Sequence, residues 1–189
     1  MVANGSCWLG VTNTSLGRAS WVDDMSDKSE MEFVSQSESV TQAFGRAIGV
    51  AGRGGDVVGL IGELGAGKTR LTKGVAEGLG VADEGKVRSP TFVLIREHVG
   101  RLRLFHVDAY RLSGAGELNS LGFEEILGQG GLTVVEWADH VAEGLPADRL
   151  SVRLSIAGPS SRRISLSSGG QGSRALLGRL EQEWAKRGE

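Results

Sequence analysis

Asp56-Val57-Val58-Gly59-Leu60-Ile61-Gly62-Glu63-Leu64-Gly65-Ala66-Gly67-Lys68-Thr69 (DVVGLIGELGAGKT) is the stretch whose reading decides the fold. Its first six residues are a short apolar run, the pattern of a strand buried on both faces. Gly62 to Thr69 satisfies G-x-x-x-x-G-K-[ST] in full. Leu71, Val75 and Leu79 then recur on one side of a helix. A chance glycine-rich turn would not need a buried strand before it and a helix after it, and both are predicted here. Gly65 and Gly67 let the backbone approach a phosphate without a Cβ in the way. Successive N–H groups form an anion nest, and the helix beginning near Lys68 adds its positive dipole end. Lys68 is expected to reach the β- and γ-phosphates and Thr69 to offer its hydroxyl to Mg²⁺. The expected nucleotide-binding set is Gly65, Ala66, Gly67, Lys68, Thr69 and Arg70. No N-K-x-D sequence marks guanine specificity, which favours ATP.

Such a site needs a carboxylate near the metal. Two candidates end apolar strands: Asp108 follows Leu102 to Val107, and Glu136 follows Leu132 to Val135. Both fit the C-terminal edge of a sheet, where ligands of α/β folds bind. Either alone reads equally well as a solvated strand-end carboxylate; beside the loop, at least one belongs to the site. Ser89-Pro90-Thr91 places hydroxyls on a proline-stiffened turn. By itself it reads as an ordinary turn before a strand, with a phosphate-sensing switch as the alternative.

Outward from this centre the chain reads as one α/β domain with a mixed sheet including antiparallel strands. Glu32 to Ser35 predicts a short strand. Ser35 and Glu38 have capping-box spacing before a helix carrying Val40, Phe44, Ala47 and Ile48. Thr91–Glu97 and Arg101–Val107 predict a hairpin, Leu118–Leu127 one or two short helices, and Leu150–Ile156 with Arg163–Leu166 a second strand pair. Ser173 is positioned to cap a last helix with Leu176, Leu180 and Trp184 on one face. Residues 1–30 have no sustained periodicity and read as a disordered or weakly ordered extension, which leaves 31–189 as the domain. The 30 glycines imply plentiful loops and tight turns. A formal net charge of −2 argues against a broad nucleic-acid surface. One cysteine, no secretory pattern and no apolar run long enough to span a membrane make a cytoplasmic setting the simplest reading.

The set G-E-L-G-A-G-K-T, S-P-T-F, F-H-V-D-A-Y-R-L, E-L-N-S-L-G-F-E-E and V-V-E-W resembles the TsaE family in order, spacing and content, over about Phe33 to Leu166. That resemblance implies a P-loop NTPase-like three-layer fold. It implies an ATPase, with bound ATP/ADP and Mg²⁺, that drives cycling of the partner proteins TsaB and TsaD in tRNA threonylcarbamoyladenosine (position 37) biosynthesis. Contact with tRNA would be indirect, through that complex. It implies Lys68, Asp108 and Glu136 as catalytic residues, Thr69 and Glu136 as metal ligands, and Glu38 near the base or ribose. It also turns Ser89 to Thr91 into a switch-like loop and brings Trp137, otherwise read as core, close to the site. Ala138-Asp139-His140 after E-W departs from the family pattern.

Two other readings stand beside this one: a small-molecule P-loop kinase, and a nucleotide-gated binding module with little hydrolysis. No lid-like arginine cluster supports the kinase. No arginine finger is evident by spacing, and Arg88, Arg96, Arg111 and Arg162 read as solvated surface residues. Arg101 and Arg103 read as a charged exposed strand face before they read as tRNA contacts.

Overall fold

A computed structural model describes residues 20–23, 29–82 and 94–187. The elements run β1 (Ser20–Asp23), β2 (Ser29–Ser35), α1 (Glu38–Ala51), β3 (Val57–Ile61), α2 (Lys68–Gly78), β4 (Ile95–Val99), β5 (Arg103–Asp108), α3 (Ala115–Ser120), α4 (Phe123–Gly128), β6 (Leu132–Glu136), a 3₁₀ segment (Ala138–Gly144), β7 (Leu150–Ile156), β8 (Arg162–Ser168) and α5 (Gln171–Ala185). The strands form one sheet in the order β1-β2-β8-β7-β3-β6-β5-β4. The β7-β3-β6-β5 centre is parallel, and the strands outside it pair antiparallel.

Alternation along each strand sorts the side chains onto two faces. Val58 and Leu60 of β3, Leu132 and Val134 of β6, and Leu104 of β5 join the large core beneath α1, α2 and α5. Val107 and Val135 face the other way, into a smaller core with Leu118, Phe123 and Val141 from α3, α4 and the 3₁₀ segment. These three layers agree with the predicted architecture. Phe33, Phe44 and Trp184 close the far end of the large core, with ring centroids 4.5 to 5.6 Å apart.

Several boundaries differ from the sequence reading. β1 and the first residues of β2 fall inside the segment expected to be a weakly ordered extension; residues 1–19 and 24–28 lie outside the described residues. The edge of β8 accounts for the longer β2, since six consecutive residues from Glu30 to Ser35 register against Ser167 to Arg162. The N-cap of α1 is Ser37, whose hydroxyl accepts from Val40 N at 3.2 Å. Ser35, expected in that role, is buried and shares a hydrogen bond with the Thr41 hydroxyl at 2.8 Å. At α5, Asp148 accepts from Gly172 N and Ser173 N, both at 2.8 Å, while the Ser173 hydroxyl accepts from Gly169 N and Gly170 N. Hydrogen bonds from Ser173, and then from Gly172, hold the Asp148 carboxyl below the usual carboxylate range.

Not all the glycines serve turns. Gly45 and Gly49 on α1, and Gly74 and Gly78 on α2, sit where the two helices touch backbone to backbone. A Cβ on Gly45 would lie 2.1 Å from Leu71 O, and one on Gly74 would lie 2.0 Å from Gln42 O. Each helix thus presents a G-x-x-x-G pair to the other, which fixes α2 and the loop that feeds it close against α1. Arg101 locks the end of α1, donating to Gly49 O, Val50 O and Gly52 O at 2.5, 2.9 and 2.8 Å. Gly74→Ala should therefore lower unfolding stability by about 1–3 kcal/mol in urea titration, the cost of overpacking a closed interface.

Candidate nucleotide-binding site

The parallel register brings β3, β6 and β5 to one edge: Leu60 lies beside Glu136, and Glu136 beside Asp108. The glycine loop leaves β3 at this edge and enters α2 at Lys68. Gly65 at φ +79° and Gly67 at φ +105° occupy the left-handed region that side chains resist, and no atom lies within 4 Å of a Cβ built on Gly65. Both positions thus favour glycine for their backbone conformation.

Lys68 curls back over the loop. Its Nζ donates to Gly62 O at 2.5 Å and Glu63 O at 3.0 Å, and lies 3.5 Å from the centre of the Trp137 ring. Burial lowers its pKa, opposed by the charges of Glu136, Asp139, Asp108 and Glu63. Trp137 itself sits at φ +59°, ψ +41°, a strained setting for a bulky residue that turns its ring toward Lys68. Tyr110 and His140 pack on it at 4.9 and 5.3 Å.

Glu136 is only 2% exposed, and both its oxygens are engaged. Oε2 accepts from the Thr69 hydroxyl at 2.8 Å; Oε1 is shared with His106 Nε2 at 2.8 Å and the Thr72 hydroxyl at 3.3 Å. Asp108, equally buried, accepts from Tyr110 N at 3.0 Å. The donor chemistry fits magnesium: a hydroxyl and a carboxylate, both hard oxygen ligands, meet beside the phosphate loop. Among the described residues no group of three or more His, Cys, Asp or Glu side chains forms a metal cage, so such an ion would complete its shell with phosphate and water.

Of the residues expected from sequence, Gly65, Ala66, Gly67, Lys68, Thr69, Asp108, Glu136 and Trp137 converge here. Glu38 and Arg70 converge on each other: they form an ion pair at the α1–α2 junction, and Arg70 also donates to Gln42 Oε1 at 3.1 Å. Ser89, Pro90 and Thr91 lie outside the described residues, as does Arg88. Asp139, Thr72 and His106 join the site without having been singled out. His106 carried a signal in the alternation, since it is two residues before Asp108 and so shares its face. Arg162 is not a solvated surface residue, because it donates to two loop carbonyls. Arg103 pairs with Glu97 and Gln129.

A sequence profile of the family described as "Threonylcarbamoyl adenosine biosynthesis protein TsaE" matches residues 35–164. This chain belongs to the TsaE family. The motif resemblance is thereby borne out. The tRNA threonylcarbamoyladenosine biosynthesis protein TsaE of Treponema pallidum is 38% identical over 136 residues, spanning 72% of this chain and 99% of that one. TsaE of Bacillus subtilis is 41% identical over 131 residues, 69% and 80% of the two chains. TsaE of Streptomyces coelicolor reaches 48% over 117 residues, 60% and 77%. The crystal structure of Bacillus subtilis YdiB superposes with a TM-score of 0.68 at 34% identity, covering 81% of this chain and 95% of that one. The family match runs from Ser35 at the end of β2 to Ile164 in β8, so it contains every residue named in the site. Among the described residues no helix is long and apolar enough to cross a membrane.

Within this TsaE site His106 is the buried support of Glu136. Its Nδ1 has no hydrogen-bond partner among the described residues, so the bond to Glu136 is its polar tether. His106→Leu should cost about 1–3 kcal/mol in unfolding stability by leaving a buried carboxylate short of a donor, measured by urea titration against wild type.

Proposed function

We propose that this chain is the ATP-binding and ATP-hydrolysing component of tRNA threonylcarbamoyladenosine biosynthesis, and that its hydrolysis drives cycling of TsaB and TsaD. The observation that carries this reading is the Thr69–Glu136 hydrogen bond beside the glycine loop: a hydroxyl and a buried carboxylate already paired where a triphosphate would lie. Thr69 and Glu136 would hold a magnesium ion, which would supply charge neutralisation to the bound phosphates.

The remaining work falls to side chains of the chain. Lys68 exchanges the carbonyls of Gly62 and Glu63 for phosphate oxygens, a stronger, charge-assisted pairing. Trp137 keeps the ammonium on the loop side of its ring. Glu136, with donors on both oxygens, is suited to a ligand role at the metal. Asp108, on the neighbouring strand at the same level, is the better group to orient the attacking water. Loop amides and the α2 N-terminus favour the charge that accumulates during transfer. The threonylcarbamoyl transfer itself is left to the partners, and tRNA is met through them.

Phosphate release from Mg·ATP by the full chain, alone and with TsaB and TsaD, tests this reading. Slow release alone, acceleration by the two partners, and loss of both in Lys68→Ala are expected. Rapid release that the partners leave unchanged would sink the coupling. Transfer of phosphate to a small-molecule acceptor would favour a kinase instead.

A further inference from the structure

Arg162 opens β8, opposite Ile156 of β7 and Ser35 of β2. Its guanidinium reaches across to the phosphate loop, nearly a hundred residues earlier in the chain. Nε donates to Ala66 O at 3.1 Å and Nη2 to Gly65 O at 3.2 Å. Nη1 donates back into the β7–β8 turn, to Ser161 O at 2.8 Å and Gly158 O at 3.3 Å. The planar fork of an arginine suits this arrangement, because its N–H groups are fixed relative to one another and can address two consecutive peptides at once.

We infer that Arg162 is a positioning residue that holds the phosphate loop in its anion-receiving shape. The inference rests on the nucleotide reading of that loop and follows from peptide geometry. A trans peptide points its C=O and N–H in opposite directions, and no cis bond is present among the described residues. Drawing Gly65 O and Ala66 O onto Arg162 therefore turns the N–H groups of Ala66 and Gly67 away from it, toward the inner side of the loop. Ala66 N donates to Glu63 O at 3.1 Å, which closes the loop's own turn. The Gly67 N–H has no acceptor among the described residues and is available to an anion.

A loop containing Gly62, Gly65 and Gly67 would otherwise sample many backbone shapes, and ordering it on binding would weaken the affinity. Arg162 removes that freedom beforehand. All its partners among the described residues are carbonyl oxygens, so no carboxylate cancels its charge behind the loop. β7 supports the same loop sterically: a Cβ on Gly62 would lie 2.3 Å from Leu154 O. The antiparallel β7–β8 hairpin, which no nucleotide would need to touch, thus becomes a brace for the site.

The dissociation constant of Mg·ADP, measured by calorimetry on the full chain, tests this for R162A, R162K and R163A. Arg163 is the comparison because it removes the same charge one residue away, from a pair with Glu32 at 2.6 Å on the exposed side of the sheet. R162A should weaken ADP binding about tenfold or more by removing two charge-assisted hydrogen bonds, with R162K in between. R163A should stay within about twofold of wild type. Amide hydrogen exchange at Gly65 to Lys68, without nucleotide, should quicken in R162A and not in R163A. ADP affinity in R162A equal to that in R163A would overturn the inference. Should wild type bind no ADP, the nucleotide reading fails by itself, and unchanged exchange at Gly65 to Lys68 in R162A would then overturn the brace separately. If R162A does not fold, R162K carries the same comparison, and wild-type affinity and exchange in R162K would overturn it.

Discussion

The hydrogen bond from the Thr69 hydroxyl to Glu136 ties the first turn of α2 to the end of β6 at 2.8 Å, and the rest of the site is arranged around it. It requires that two elements far apart in sequence end at the same height. Parallel pairing supplies that height, since β3, β6 and β5 run together and deliver the loop, Glu136 and Asp108 to one edge. A buried carboxylate must be paired to be tolerated, and the pairing groups here, Thr69, Thr72 and His106, come from both α2 and β5. Stability and site geometry are therefore the same hydrogen bonds seen from two sides.

The support for this arrangement is mostly backbone. α1 and α2 meet through paired glycines, which brings their axes closer than side chains would allow and leaves α2 little room to shift. Arg101 satisfies three carbonyls at the end of α1, Arg179 reaches Ala51 O and Asp56, and Arg162 holds two carbonyls of the loop. These three arginines act as long-range carbonyl clamps more than as a positively charged surface. That use accounts for Arg101 without invoking nucleic acid, in keeping with the net charge of −2.

The loop, the buried strands before Gly62 and Glu136, the β4–β5 hairpin and the α5 face were all legible in the sequence, because each rests on a local signal: a motif, an apolar run or a helical period. Lys68, Thr69, Asp108 and Glu136 were legible for the same reason. What escaped was what depends on contact between distant segments. Asp148 caps α5 from 25 residues away, which no spacing rule anticipates. Ser37 displaced Ser35 as the α1 cap because pairing with β8 carried β2 through Ser35 and left that side chain buried. The glycines of α1 and α2 look like turn formers until the two helices are placed against each other. Arg162 looked solvated for want of knowing that β8 begins beside the loop, and Asp139 entered because the strained backbone at Trp137 starts the 3₁₀ segment there.

The central claim is that the amides of this loop, with Lys68 and Thr69, grip a magnesium-bound nucleotide. Calorimetric titration of ATP into the full chain, with magnesium and then with the metal chelated, addresses it most directly. The account predicts saturable one-site binding that weakens sharply on chelation and disappears in Lys68→Ala. Binding that ignores both magnesium and Lys68, or no binding at all, would contradict it.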